Sequence, residues 1–314
     1  MRTGVSYMGH HNPRHLKTDL EEMQQLGLDD VLVALQENDF RHFVGKLQFI
    51  PKMARDLGLR PVAIFWGALN LFGGGCSSNL LLENPGCFQV ARDGSHRQQG
   101  CYVNPASVAR IKEMIATAAA AGYEGYFVDE PVELEECFCP ACRARFSEWD
   151  GADLIRADAA TLKRFRERCV LNYVHEISGY CRQRHPQLET MCCLMPRQQH
   201  LWAKMAAITE LQNLGADIYW VNQDRDVEEM RPLVREMRDL CQAHGKKHHE
   251  WLQCWQAAAG REGRILDQGR ILVEENPDAL YIWAWHGQVG TTETCANPDL
   301  GWAQAVKILK MAKP

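Results

Sequence analysis

Residues 104–130 read NPASVARIKEMIATAAAAGYEGYFVDE. Asn104 and Pro105 suit the cap and first position of a helix, because a capping amide accepts an orphan backbone N–H and proline has none to leave unpaired. Val108, Ile111, Ile115 and Ala118 then recur at helical spacing, and Gly122 suits the position just past a helix end. The pattern changes at once. YEGYFV is a short run of β-forming residues, and Asp129-Glu130-Pro131 stops it, since proline cannot extend a hydrogen-bonded ladder. The unit is one amphipathic helix followed by one apolar strand that ends in carboxylates.

The same unit repeats outward in both directions. Strands are expected over 4–9, 30–36, 60–67, 123–130, 188–196, 216–224, 247–256 and 279–287, with helical patterns after each. Gly27, Gly58, Gly122, Gly215 and Gly245 stand where helices stop. Strict alternation with apolar strands implies parallel strands covered by helices. Eight such units close into a (β/α)8 barrel, a TIM barrel. An open doubly wound sheet would carry a glycine-rich phosphate loop after the first strand. Here GVSYMG is followed by HHNPRH. The expectation is one barrel domain over 1–314, with a long irregular loop at 70–103.

With 35 basic and 40 acidic residues the formal net charge is −5, which gives no footprint for nucleic acid or anionic membrane. No apolar stretch is long enough to cross a bilayer, and MRTGVSYMGHHN lacks the apolar core of a signal peptide. Thirteen cysteines, an odd number scattered through apparent strands and helices, fit buried thiols and one metal site better than a disulfide framework. A reducing, cytoplasmic setting is the corresponding expectation.

In a TIM barrel the active site lies at the carboxyl ends of the strands. The residues expected there are His10 after strand one, Gln36 after strand two and Trp66 after strand three. Strand four contributes Asp129 and Glu130, and strand six Asn222, Gln223 and Asp224. Strand seven contributes Gln253 and Trp255, and strand eight Trp285 and His286. Flat aromatic rings, amides, imidazoles and carboxylates on opposite walls suit a sugar, and paired carboxylates suit glycoside hydrolysis. Asp217 reads as a turn residue before its strand, Cys192 and Cys193 as core hydrophobes, and Glu133, Glu135 and Glu136 as a solvated loop. His244, His248 and His249 read as a surface or bottom-face tract. Asp129 and Glu130, being adjacent, should point to opposite faces unless the strand ends between them.

The segment CFCPACRARFSEW (137–149), directly behind an acidic strand-four end, resembles the family 42 glycoside hydrolases, the bacterial β-galactosidases of clan A. The likeness is specific over about residues 100–150 and elsewhere rests on barrel order. It implies an acid/base glutamate at Glu130. It also implies a structural zinc held by Cys137, Cys139, Cys142 and one earlier cysteine, Cys101, with Cys76 and Cys87 as substitutes; four thiolates suit tetrahedral zinc. The chain departs from the family in two places. Strand four ends Asp-Glu rather than Asn-Glu, and strand seven, HHEWLQCWQ, lacks the family's nucleophilic glutamate.

The expected function is therefore a glycoside hydrolase acting on a small carbohydrate. Glu130 is taken as general acid, Asp224 as nucleophile or base, and Asp129 as an orienting or hydroxyl-binding group. Glu262 is held in reserve for the missing glutamate. The alternative is a sugar-binding barrel that has lost catalysis. Neither nucleic acid nor membrane is expected as a partner; the aromatic-rich far end could bury surface in a homodimer.

Overall fold

The computed structural model describes residues 1–131 and 136–313. Eight parallel strands close into a barrel. They are β1 (Arg2–Tyr7), β2 (Asp30–Leu35), β3 (Arg60–Phe65), β4 (Gly125–Val128), β5 (Glu189–Leu194), β6 (Asn213–Ala216), β7 (Lys247–Gln253) and β8 (Ala279–Trp283). Each pairs with its sequence neighbour, and β8 pairs with β1 to close the ring.

Both faces of each strand are apolar because both are covered. Leu32, Val62, Ile64, Phe127, Met191, Cys193, Trp251 and Tyr281 fill the lumen, while Val31, Val33, Ala63, Val128, Cys192 and Leu252 pack outward in the larger cluster under the helices. The helix Pro105–Ala121 begins as its sequence suggests. Asn104 accepts from the N–H of Ala106 at 2.9 Å, and Gly122 ends it at φ +100°.

The bottom of the barrel is closed by charge. Asp30 is fully buried and accepts from the Arg2 and Arg60 guanidinium groups and from the Tyr281 hydroxyl. Arg60 also pairs with Glu189. At the top, the long loop after β3 holds a short helix (Asn79–Glu83) and a hairpin of Phe88–Val90 with His96–Gly100. The helix Pro140–Asp150 follows the cysteine segment.

One strand boundary differs from the sequence reading in a way that matters for function. β6 is Asn213–Ala216, not 216–224. Gly215 is a strand residue rather than a helix stop: a Cβ there would lie 2.1 Å from the His249 carbonyl oxygen. The apolar run Ile218–Val221 is buried loop above the strand. A short apolar run alone does not distinguish the two. His248 and His249 are also buried rather than on the surface, His248 against Glu250 and His249 in the lumen against Asn213. Glu133 and Glu135 lie outside the described residues.

Candidate active site

β4 ends at Val128, so the alternation stops before the carboxylates. Glu130 takes a left-handed backbone (φ +39°). That conformation is strained for a residue with a side chain, and such strain gathers at functional sites. It brings Asp129 and Glu130 to the same cavity instead of opposite faces. Pro131 is held behind them by the buried Gln198 amide, which donates to its carbonyl at 2.8 Å.

The cavity, about 460 Å3 including open solvent, is lined by Trp66, Gly73–Gly75, Asp129, Glu130, Met195, Asp217, Tyr219, Trp255, Trp283 and Glu293. Trp66 lies 6.4 Å from Trp283, ring centre to ring centre, and Tyr219 meets Trp255 edge-on at 5.6 Å. The Trp255 indole N–H is buried without a partner, a donor free for a ligand oxygen.

Four carboxylic side chains share this space, and no Lys, Arg or His is among the described residues lining it. Burial raises all three of the deep ones. Asp129 is pushed up to about 8 by burial and by the Glu130 charge. Glu130 is raised by burial, partly offset by hydrogen bonding to Asp217 and by Arg197. Asp217 is raised well above the carboxylate range by burial and the Glu130 charge. Cys193 lies 3.4 Å from Asp129 Oδ1 and 3.2 Å from Asp217 Oδ2.

The sequence pattern places Asp217 in a turn before its strand; with β6 ending at Ala216, it stands at the carboxyl end instead. Asp224 moves the other way. Its side chain is 87% exposed and ion-paired to Arg261, and it does not line the cavity. Glu293, from the loop after β8, had no signal in the sequence. Its Oε2 accepts from the Gln288 amide at 3.0 Å, and its backbone carbonyl accepts from the N–H of Gln256 at 2.8 Å.

Of the expected sugar-contacting residues, Trp66 and Trp255 line the cavity. His10, Trp285 and His286 line a separate recess between the ends of β1 and β8. Gln253 is buried, accepting from the N–H of Val221 and donating to the Trp255 carbonyl. Asn222 and Gln223 brace their own loop, bonding to Gln256, Ala258 and Tyr219. Gln36 caps a helical turn after β2, and Glu262 is buried at the start of the helix Gly263–Glu275, away from the cavity.

Cys101, Cys137, Cys139 and Cys142 are buried, and their sulfurs lie within 4.8 Å of one another. Cys101 Sγ is 3.4 Å from Cys142 Sγ and 3.7 Å from Cys139 Sγ. Zinc–sulfur bonds of about 2.3 Å place tetrahedral sulfurs about 3.8 Å apart, so the four thiols fit one metal ion. Mutual hydrogen bonding drives the Cys137 and Cys139 thiols down and the Cys101 and Cys142 thiols up. Cys76 and Cys87 are not in the group. The cluster joins the β3-loop hairpin to the segment after β4, where the N–H of Phe138 also donates to Val90.

No family model matches the chain, and no curated protein matches it by sequence. Solved structures do match. A β-galactosidase from the Antarctic haloarchaeon Halorubrum lacusprofundi superimposes with a TM-score of 0.77 at 17% identity, covering 100% of this chain and 58% of that one. The β-galactosidase of Bacillus circulans sp. alkalophilus gives 0.76 at 13%, covering 99% and 55%. The fold is that of the β-galactosidase barrel. An endo-β-1,4-mannanase from Thermotoga petrophila shares it more loosely, with a TM-score of 0.60 at 11% identity over 99% of this chain and 76% of that one. The chain thus spans less than two thirds of the β-galactosidases it matches. The resemblance seen around residues 100–150 extends, as fold, over the whole chain.

Proposed function

We propose that the protein is a glycoside hydrolase working in the cavity above β4, β6 and β8. The observation that carries this is Glu130: a half-buried carboxyl, raised by desolvation, at the end of β4 in a cavity walled by tryptophans. A general acid must hold its proton near neutral pH, and burial gives a carboxyl that property. Trp66, Trp283, Trp255 and Tyr219 would stack on a sugar ring.

Asp217 lies within hydrogen-bonding reach of Glu130, and Asp129 is its chain neighbour. Acid and nucleophile need about 5–5.5 Å for retention, and acid and base about 6.5–9.5 Å for inversion. Asp217 is therefore too close to serve as the second reacting group. Burial, not these neighbours, raises Glu130: hydrogen bonding to Asp217 lowers it, and the Glu130 charge in turn raises Asp129 and Asp217, which hold protons beside it. The second group is then Glu293, the remaining carboxyl lining the cavity, at the Gly75 end of the Gly73–Gly75 strip whose Gly73 end meets Glu130; a Cβ on Gly75 would sit 3.8 Å from its Oε1. It replaces Asp224 in the role first expected for that residue.

Zinc is the ion that Cys101, Cys137, Cys139 and Cys142 suit, and it would stiffen two loops bordering the cavity. It takes no part in the chemistry.

Hydrolysis of aryl glycosides, both anomers of the common hexoses and pentoses, is the test. Release by wild type and its loss in Glu130→Gln, by roughly 100-fold or more, is the expected outcome. Equal turnover in the variant would remove Glu130 as acid. One observation favours a second reading. The family's strand-seven glutamate is absent and Gln253 has both amide atoms engaged in the backbone, as in a barrel that binds sugar without cleaving it. Glycan binding without release from any substrate would select that reading.

A further inference from the structure

Asp129, Cys193 and Asp217 come from the ends of three adjacent strands, β4, β5 and β6, and each is buried. One ligand atom from each lies within 4.8 Å of the others. Alternation along β5 decides which thiol is available: Cys192 faces the helices and Cys193 the lumen.

The hydrogen bonding does not close. Cys193 faces a carboxylate oxygen on each side, at 3.4 and 3.2 Å, but a thiol has one proton and can donate to only one. Asp217 is 3% exposed and lines the cavity, and its Oδ1 meets no N–H, O–H or S–H donor; the side chain within its reach is another carboxyl, Glu130. An unmade bond at a buried acceptor is costly. No cationic side chain among the described residues lining the cavity compensates the carboxylates.

We infer that Asp129, Cys193 and Asp217 form a second metal site, for a zinc-type divalent cation, at the floor of the cavity. Bonds of about 2.3 Å to sulfur and 2.1 Å to oxygen put tetrahedral S···O pairs about 3.6 Å apart, close to both observed distances. A cation would satisfy both carboxylates and the thiolate at once. One thiolate with two carboxylates selects zinc or cobalt over magnesium or calcium, which prefer oxygen alone. Three protein ligands with the cavity on the remaining side is the arrangement of an open site, whose fourth position takes water or a hydroxyl oxygen of a bound ligand. The inference does not depend on the hydrolase reading, because metal content is measured without turnover.

The experiment is metal stoichiometry by plasma mass spectrometry on the full chain after incubation with excess Zn2+ and desalting. Wild type should carry one equivalent more than Asp217→Asn and one more than Cys193→Ser. Both variants should keep the equivalent that Cys142→Ser removes. Circular dichroism melts identify any variant that fails to fold; the near-isosteric Cys193→Ser keeps the comparison available if Asp217→Asn does. Equal zinc in wild type and in a folded variant overturns the site.

Discussion

At the scale of single residues, two aspartates seven positions apart exchange places relative to the strand end. Asp217 is buried at a strand end and Asp224 is solvated, although the run between them looks like a strand that would put Asp224 at its tip. Exposed ion pairs contribute about 0–1 kcal/mol. Asp224→Asn should therefore leave both turnover and melting temperature near wild type, and a large loss of turnover would return Asp224 to the site. His249 makes a separate prediction. Burial holds its imidazole well below its ordinary range, so it is neutral in the fold. The unfolded chain binds the proton more readily, so this contribution is complete above about pH 6.5 and is lost as pH falls below that. His249→Phe removes the titration. Its stability relative to wild type should rise as pH falls from 7 to 5, by up to about 1.4 kcal/mol per pH unit. Parallel denaturation curves across that range would contradict a neutral buried His249.

At the scale of elements, the loop after β3 shapes the cavity. Gly73 donates its N–H to the Asp129 carbonyl at 3.1 Å, and a Cβ on it would come within 2.8 Å of Asp129 Oδ2 and 3.3 Å of Glu130 Oε2. Gly73 is a glycine because the backbone there passes directly over the carboxylates, and Gly74 because it takes a φ of +124° against Gly67 and Trp66. Gly73→Ala should displace them and lower turnover at least tenfold while shifting the melting temperature little, since the clash is with side chains at a cavity wall. Unchanged kinetics would mean the carboxylates can move without consequence. Three consecutive glycines in an irregular loop are visible in the sequence, but not that Gly73 approaches Asp129 and Glu130, because those partners lie more than 50 residues away.

At the scale of the molecule, the two ends of the barrel divide stability from chemistry. The bottom is locked by Asp30 between Arg2, Arg60 and Tyr281. Removing one partner of a buried ion pair leaves the other uncompensated, at a cost of about 3–5 kcal/mol. Asp30→Ala should be destabilised by about 3 kcal/mol in urea denaturation, the low end because Arg2 is half exposed. An unchanged midpoint would show that the network is dispensable. The top carries the reverse arrangement: three carboxyls and a thiol brought together with no cation among the described residues lining the cavity, which is an unfavourable state unless protons or a metal ion relieve it.

What the chain determines locally could be read from it directly. Helix caps, stop glycines and two-faced apolar strands depend on neighbours within a few positions, so the eight-fold alternation and hence the barrel were legible. So were Asp129 and Glu130 at a strand end, and the Cys-x-Cys-x-x-Cys segment, whose three thiols are near one another by spacing alone. The left-handed turn at Glu130 and the true boundary of β6 were decided by tertiary structure, because each depends on contacts with distant segments: Gln198 behind Pro131, and His249 against Gly215. The same holds for the meeting of Asp129, Cys193 and Asp217, and for Glu293. Periodicity says which side of a strand a residue occupies; only closure of the barrel says which residues from other strands it meets there.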